Sequence, residues 1–229
     1  MTGEGGEGLK KIVVCITRRI LGLHLPKMKQ VVKALAKQAD VLEVLHAFEQ
    51  EHQANRSGLA YEKTLVWGLT INALKCTPDE QLNLLQKYIL APGIWAVWDS
   101  FCCNAKWALK IPPQTLWKFL LPYYHSDKEF EVRFAIAMSM YYLLKEEWLS
   151  IIFQQLDELE LSNIHSEYTS LTSPYYVRMA MAWLLATSLA KFPEETRSFV
   201  NSSSFTEDVK RLYARKARES FWTRHIVTF

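Results

Sequence analysis

Apolar residues recur at steps of three and four along almost the whole chain, while the alternation of strands and the Asn-Gly or Asp-Gly signals of tight hairpins are missing. Such a chain buries its apolar surface by packing helix on helix, so the fold class is all-α. Candidate helices run over about 9–21, 26–39, 40–53, 58–75, 79–90, 93–109, 113–124, 127–144, 146–158, 174–191, 193–200 and 205–222. Several have start signals: Pro78 and Asp79 follow Thr77, Pro113 follows Pro112, and Pro174 follows Ser173. Proline suits the first turn of a helix, where its missing N–H has no intrahelical partner to lose.

An internal repeat narrows the class further. FEVRFAIAM at 130–138 and YYVRMAMAW at 175–183 share the order aromatic, any residue, Val, Arg, then alternating apolar and Ala. Each opens a long apolar helix that follows a shorter amphipathic one. YEKTLVWGLTINAL from 61 and GIWAVWDSFCCNAK from 93 hold the same place in two earlier pairs, by pattern rather than identity. Two helices per unit, at a spacing of roughly 30 to 45 residues, predict HEAT-like repeats stacked into a curved α-solenoid with a concave surface. No linker rich in Gly, Pro or Ser divides residues 1–229, so one domain is expected, with the longest loop at 160–173 and residues 1–8 disordered.

Composition excludes several function classes. The 229 residues are 49% hydrophobic and 22% charged, as in ordinary globular proteins. The longest apolar runs, IAMSMYYLL and MAMAWLLATSLA, fall short of the roughly 20 residues of a membrane span. Glu4 and Glu7 precede the first basic residues and no cleavage motif follows the first apolar run, which makes a poor secretory signal and points to the cytoplasm. Cysteines at 15, 76, 102 and 103 follow no CxxC spacing, and scattered histidines complete no metal site, so buried free thiols and no metal are expected. A net charge of +3 does not announce a nucleic-acid binder unless positive charge gathers on one face.

GIWAVWDSF at 93–101 sets a single carboxylate, Asp99, among Trp95, Trp98 and Phe101. An ionised carboxylate in apolar surroundings costs several kcal/mol unless it is paired, neutralised or wetted. Either it is tied down for structure or it is there to be used. Trp95 and Asp99, four apart, share one helix face, with Cys102 next along the stripe. Arg133 and Arg178 hold equivalent places in their repeats, and Trp183 lies on the last clear inner helix. The structural alternative carries equal weight: an Asp and an Arg can form a stapling ladder between neighbouring inner helices, and of the 8 tryptophans Trp67, Trp107, Trp117 and Trp148 are expected to pack in the core. Lys210, Arg211, Arg215, Lys216, Arg218 and Arg224 fall on spacings that form a phosphate-contacting stripe or, equally, a solvated terminal helix.

The chain is similar to the bacterial DNA alkylation repair family, the HEAT-like-repeat DNA glycosylases, from about Gly22 to Ser220. GLHLPKMK at 22–29 resembles its early Gly-Val-Arg-x-Pro-x-Leu-Arg element, and IWAVWDSFCCNAK at 94–106 its Trp-Ala-x-x-Asp-x-Phe-Cys segment. KEFEVRFAIAM, SPYYVRMAMAWLLA with KFPEET, and KARES resemble later blocks. The resemblance implies hydrolysis of the N-glycosidic bond of alkylated purines in double-stranded DNA, 3-methyladenine and 7-methylguanine above all, by a monomer without cofactor or metal. It makes Asp99 the catalytic carboxylate, with Trp95 and Trp183 as indoles at the nucleotide. It makes Arg133 a DNA contact, with Arg178, Lys29, Arg215, Lys216 and Arg218 auxiliary. His24 and Lys29 stand where the family has arginine, Met28 where it has leucine, and Ala214 where an asparagine is common. A non-catalytic DNA-binding or scaffold member of the same fold is the second expectation, and a protein-binding solenoid the third.

Overall fold

The computed structural model describes residues 21–55, 58–91, 94–166 and 174–225, and its regular elements there are eleven α-helices and two short 3-10 turns. The expected first helix, 9–21, and the expected disorder at 1–8 lie almost wholly outside the described residues. The chain separates into two compact units, the first ending at Lys110 and the second beginning at Ile111.

The first unit holds α1 (Leu25–Leu35), α2 (Val41–Ala54), α3 (Tyr61–Ala73), α4 (Pro78–Ile89) and α5 (Trp95–Asn104), closed by a 3-10 turn at Lys106–Lys110. Helix α3 packs against both α1 and α5, while α2 and α4 cover it. Every residue of α3 from Leu65 to Ile71 is buried, as an apolar helix without a polar side requires. Helix α4 starts where Thr77 and Pro78 predict. The Thr77 hydroxyl accepts the Glu80 N–H at 3.3 Å, and the Glu80 carboxylate accepts the Thr77 N–H at 2.8 Å.

The core of this unit is a run of rings. Phe48 stacks on Trp67, Trp67 meets Tyr88 edge-on at 5.3 Å, and Tyr88 lies 5.6 Å from Trp98 and 5.2 Å from Phe101. Tyr88 reaches this position because Gly68 of α3 has no side chain: a Cβ there would sit 2.4 Å from the Tyr88 ring carbon Cζ. The Tyr88 hydroxyl then donates to the Thr64 carbonyl at 3.1 Å.

The second unit holds α6 (Pro113–Tyr124), α7 (Glu129–Tyr142), α8 (Glu146–Asp157), α9 (Tyr175–Lys191), α10 (Pro193–Ser202) and α11 (Glu207–Glu219), with a 3-10 turn at Leu161–Asn163. Helices α7, α9 and α11 form a consecutive stack, with α6 packed on α7 and α10 on α9. FEVRFAIAM lies within α7, and YYVRMAMAW opens α9 at its first residue. The expected repeat is therefore physical, with each second helix taking the inner place. The segment expected to be the longest loop begins with the 3-10 turn and a bridge in which the His165 N–H donates to the Asp127 carbonyl at 2.7 Å.

The repeated arginines act between successive inner helices. Arg133 of α7, 5% exposed, donates from Nη1 to the Tyr176 carbonyl at 2.9 Å. Glu129, one turn earlier and fully buried, accepts the Tyr176 N–H at 2.6 Å. Arg178 of α9 takes the same step onward and pairs with Asp208. Tyr176 and Asp208 are each the second residue of their helix, so one repeat position grips the start of the next inner helix twice over.

Two stability predictions arise here. Gly68→Ala lowers stability in urea unfolding by roughly 1 to 3 kcal/mol, because overpacking against a rigid buried ring outweighs the gain in helix propensity. The loss is smaller in a Tyr88→Phe background, where the hydroxyl is gone. Glu129→Ala removes a buried charged acceptor from the Tyr176 N–H and costs about 1.5 to 3 kcal/mol. Glu131→Ala, a half-buried neighbour on the same helix, costs clearly less in the same assay.

Candidate functional site

Helix α5 has two dissimilar sides. Val97, Trp98, Phe101 and Cys102 are completely buried, together with Ile94 just before the helix. Trp95 and Asp99 are half-buried on the other side, and Cys103 is exposed. The carboxylate that looked stranded among aromatic residues thus stands at the edge of the core. Trp98 and Phe101 turn inward, and Asp99, like Trp95, keeps contact with solvent. Trp95 and Asp99 share a face as the spacing implies, but Cys102 does not continue it. That thiol packs inside, and Cys103, four residues after Asp99, takes the exposed place.

Electrostatics tie a third residue to this face. Burial pushes the Cys103 thiol up, the Asp99 carboxylate pushes it further, and the Lys29 ammonium works in the opposite sense. Lys29, exposed on α1, therefore lies within electrostatic reach of the same thiol as Asp99. The approach of α1 is fixed by a carboxylate of α3. Glu62, 2% exposed, accepts the backbone N–H groups of Leu21 at 2.9 Å, Gly22 at 2.8 Å and Leu23 at 3.3 Å. Three successive amides make a nest for one anion, and Gly22 turns the chain for it with φ +82°.

The other end of α5 is held by Asn72 of α3. Its Nδ2 donates to the Phe101 carbonyl at 2.9 Å, and its Oδ1 accepts the Trp107 indole N–H at 2.7 Å. The expected helix 93–109 consequently ends at Asn104, and the chain continues as a 3-10 turn. Asn72 and Glu62 position the site without carrying a motif of their own.

In the second unit the candidate residues divide by what holds them. Arg133 and Arg178 are engaged in the staples between inner helices, and the Arg178 guanidinium also lies 6.0 Å from the centre of the Tyr175 ring. Trp183 is half-buried and meets the exposed Tyr141 edge-on at 5.8 Å. One turn before it, the Met179 sulfur lies 3.4 Å from Nη2 of Arg215 on α11. Arg215 and Lys216 both face Glu219, at 3.8 Å and 2.7 Å, and Arg218 is exposed. Arg215 thus reaches α9 at Met179, one turn before Trp183. Ala214, where an asparagine is common in similar chains, is buried in α11.

Among the described residues no three His, Cys, Asp or Glu side chains are grouped to hold a metal ion, and no helix is long and apolar enough to cross a membrane. An acidic group beside an indole on the open side of a sealed helix can stabilise a developing positive charge in a bound molecule. No curated protein and no solved structure matches the sequence. The profile of one family does, over residues 10–221, which include both units' candidate residues, and its description is DNA alkylation repair enzyme. The chain belongs to the DNA alkylation repair enzyme family.

Proposed function

We propose that this protein is a DNA glycosylase that hydrolyses the N-glycosidic bond of alkylated purines in double-stranded DNA, with 3-methyladenine and 7-methylguanine as its main lesions. The observation that carries the reading is the placing of Asp99: half-buried, beside Trp95, on the open side of a helix whose other side is core. An N-alkylated purine already carries positive charge, so it leaves with the bonding electron pair as a neutral base. No proton has to be delivered to it. The charge passes to the deoxyribose, where the Asp99 carboxylate stabilises it and orients the water that attacks the anomeric carbon. The attacking water loses its proton to the carboxylate or to solvent. Trp95 offers an indole face to the cationic sugar, and Trp183 is a second indole offered to DNA. Lys29, Arg215, Lys216 and Arg218 hold phosphates, the protein works as a monomer in the cytoplasm, and the reaction needs water alone.

A non-catalytic DNA-binding or scaffold member of the family is the competing reading, and the engagement of Arg133 and Arg178 in the fold is the observation in its favour. Methylated duplex DNA separates the two. At low salt the wild type releases 7-methylguanine and 3-methyladenine, and Asp99→Asn slows release by about 100- to 1,000-fold while its melting temperature stays near that of the wild type. Wild-type turnover by Asp99→Asn removes the carboxylate from the mechanism. A clear fall in its melting temperature, with no release by either protein, makes Asp99 a structural charge.

A further inference from the structure

We propose that Lys29, Lys33, Lys37 and Lys75 form a phosphate track that carries one strand of duplex DNA along the first unit, starting at the Asp99 face. The inference rests on the reading of DNA as the partner. The four lysines stand along a groove of about 600 Å³ between α1, the start of α2 and the residues that follow α3. Its lining contains no Asp or Glu. Lys29 and Lys33 are one turn apart on α1, about 6 Å along its axis, an interval comparable with that between successive phosphates of a strand. Lys37 follows in the turn that closes α1, where its N–H donates to the Ala34 carbonyl at 3.2 Å. Lys75 comes from the residues just beyond α3.

All four are exposed, and among the described residues none of them is in an ion pair. Lys63, Lys87 and Lys128, by contrast, are paired with Glu51, Glu49 and Glu131. A row of ammonium groups without carboxylates repels itself, and an extended polyanion relieves that repulsion along its whole length. The buried Met28 and Val32 seat α1 on its neighbours, which leaves the lysines on the rim. The floor of Val32, Ala36, Leu42 and Leu74 offers apolar contact to sugar edges. Continuity with the candidate site comes through Lys29, whose ammonium and the Asp99 carboxylate both act on Cys103.

The salt dependence of binding tests the track. A fluorescently labelled, unmodified duplex is titrated with the full chain across a range of NaCl concentrations, using wild type and a triple variant, Lys33→Gln with Lys37→Gln and Lys75→Gln. Each lost phosphate contact lowers the slope of log K against log salt by about 0.9, so the triple variant loses roughly 2 to 3. The corresponding triple Lys→Arg variant keeps the wild-type slope. An unchanged slope in the Gln variant overturns the track, even if the groove then proves to bind an acidic polymer such as polyglutamate. A reduced slope together with no base release by the wild type upholds the track and removes the glycosylase reading. Base release with an unchanged slope does the reverse.

Discussion

The close approach of Tyr88 to Gly68 is the contact on which the placing of Asp99 depends. With a hydrogen atom in place of a side chain at 68, the ring of Tyr88 lies against α3 and touches Trp98 and Phe101 from the same position. Three helices are thereby locked through one aromatic ring. Because Trp98 and Phe101 turn inward, the residues between and before them, Asp99 and Trp95, are directed toward the open side. Asn72 then takes up the Phe101 carbonyl, so the last turn of α5 cannot rotate without losing a bond.

Charge is handled in two ways in this molecule, and the contrast separates structure from chemistry. Glu62 and Glu129 are buried and accept backbone amides of distant segments, Glu129 together with the Ser166 hydroxyl at 3.3 Å, which gives each anion several donors. Arg133 and Arg178 answer them at the inner helices of the second unit, joining a carbonyl and a carboxylate at equivalent positions. These charges hold successive helices in register. Asp99, Lys29, Arg215 and Arg218 stand at or near the surface instead, in contact with solvent. On the proposed reading, the first group keeps the helices aligned and the second meets DNA.

Much of this was legible in the sequence because it is local. The Val-Arg-apolar-Ala repeat marks the inner helices, Thr77-Pro78 marks a start, and the four-residue step from Trp95 to Asp99 marks a shared face. What was not legible depends on partners far along the chain. Nothing around Glu62 or Glu129 announces amides 40 and 47 residues away. The pattern of 93–109 stays helical to its end, and the break after Asn104 goes with the Asn72 side chain, which takes the Phe101 carbonyl and the Trp107 indole N–H. Cys102 and Cys103 lie three and four residues from Asp99, steps that both keep to one side of a helix, and packing decides between them. Helix α11 stops at Glu219 rather than at 222 because the Thr223 hydroxyl folds back to the Ala217 carbonyl at 2.6 Å.

The central claim is that Asp99 recognises positive charge on the sugar, and binding to a mimic of that state tests it most directly. A duplex carrying a pyrrolidine ring in place of one deoxyribose presents a cation there, and a tetrahydrofuran ring presents the same shape without charge. The wild type should prefer the cationic duplex strongly, as enzymes prefer transition-state analogues, by about 100-fold or more, and Asp99→Asn should lose that preference while binding the neutral duplex as before. Equal preference in the two proteins would contradict the account.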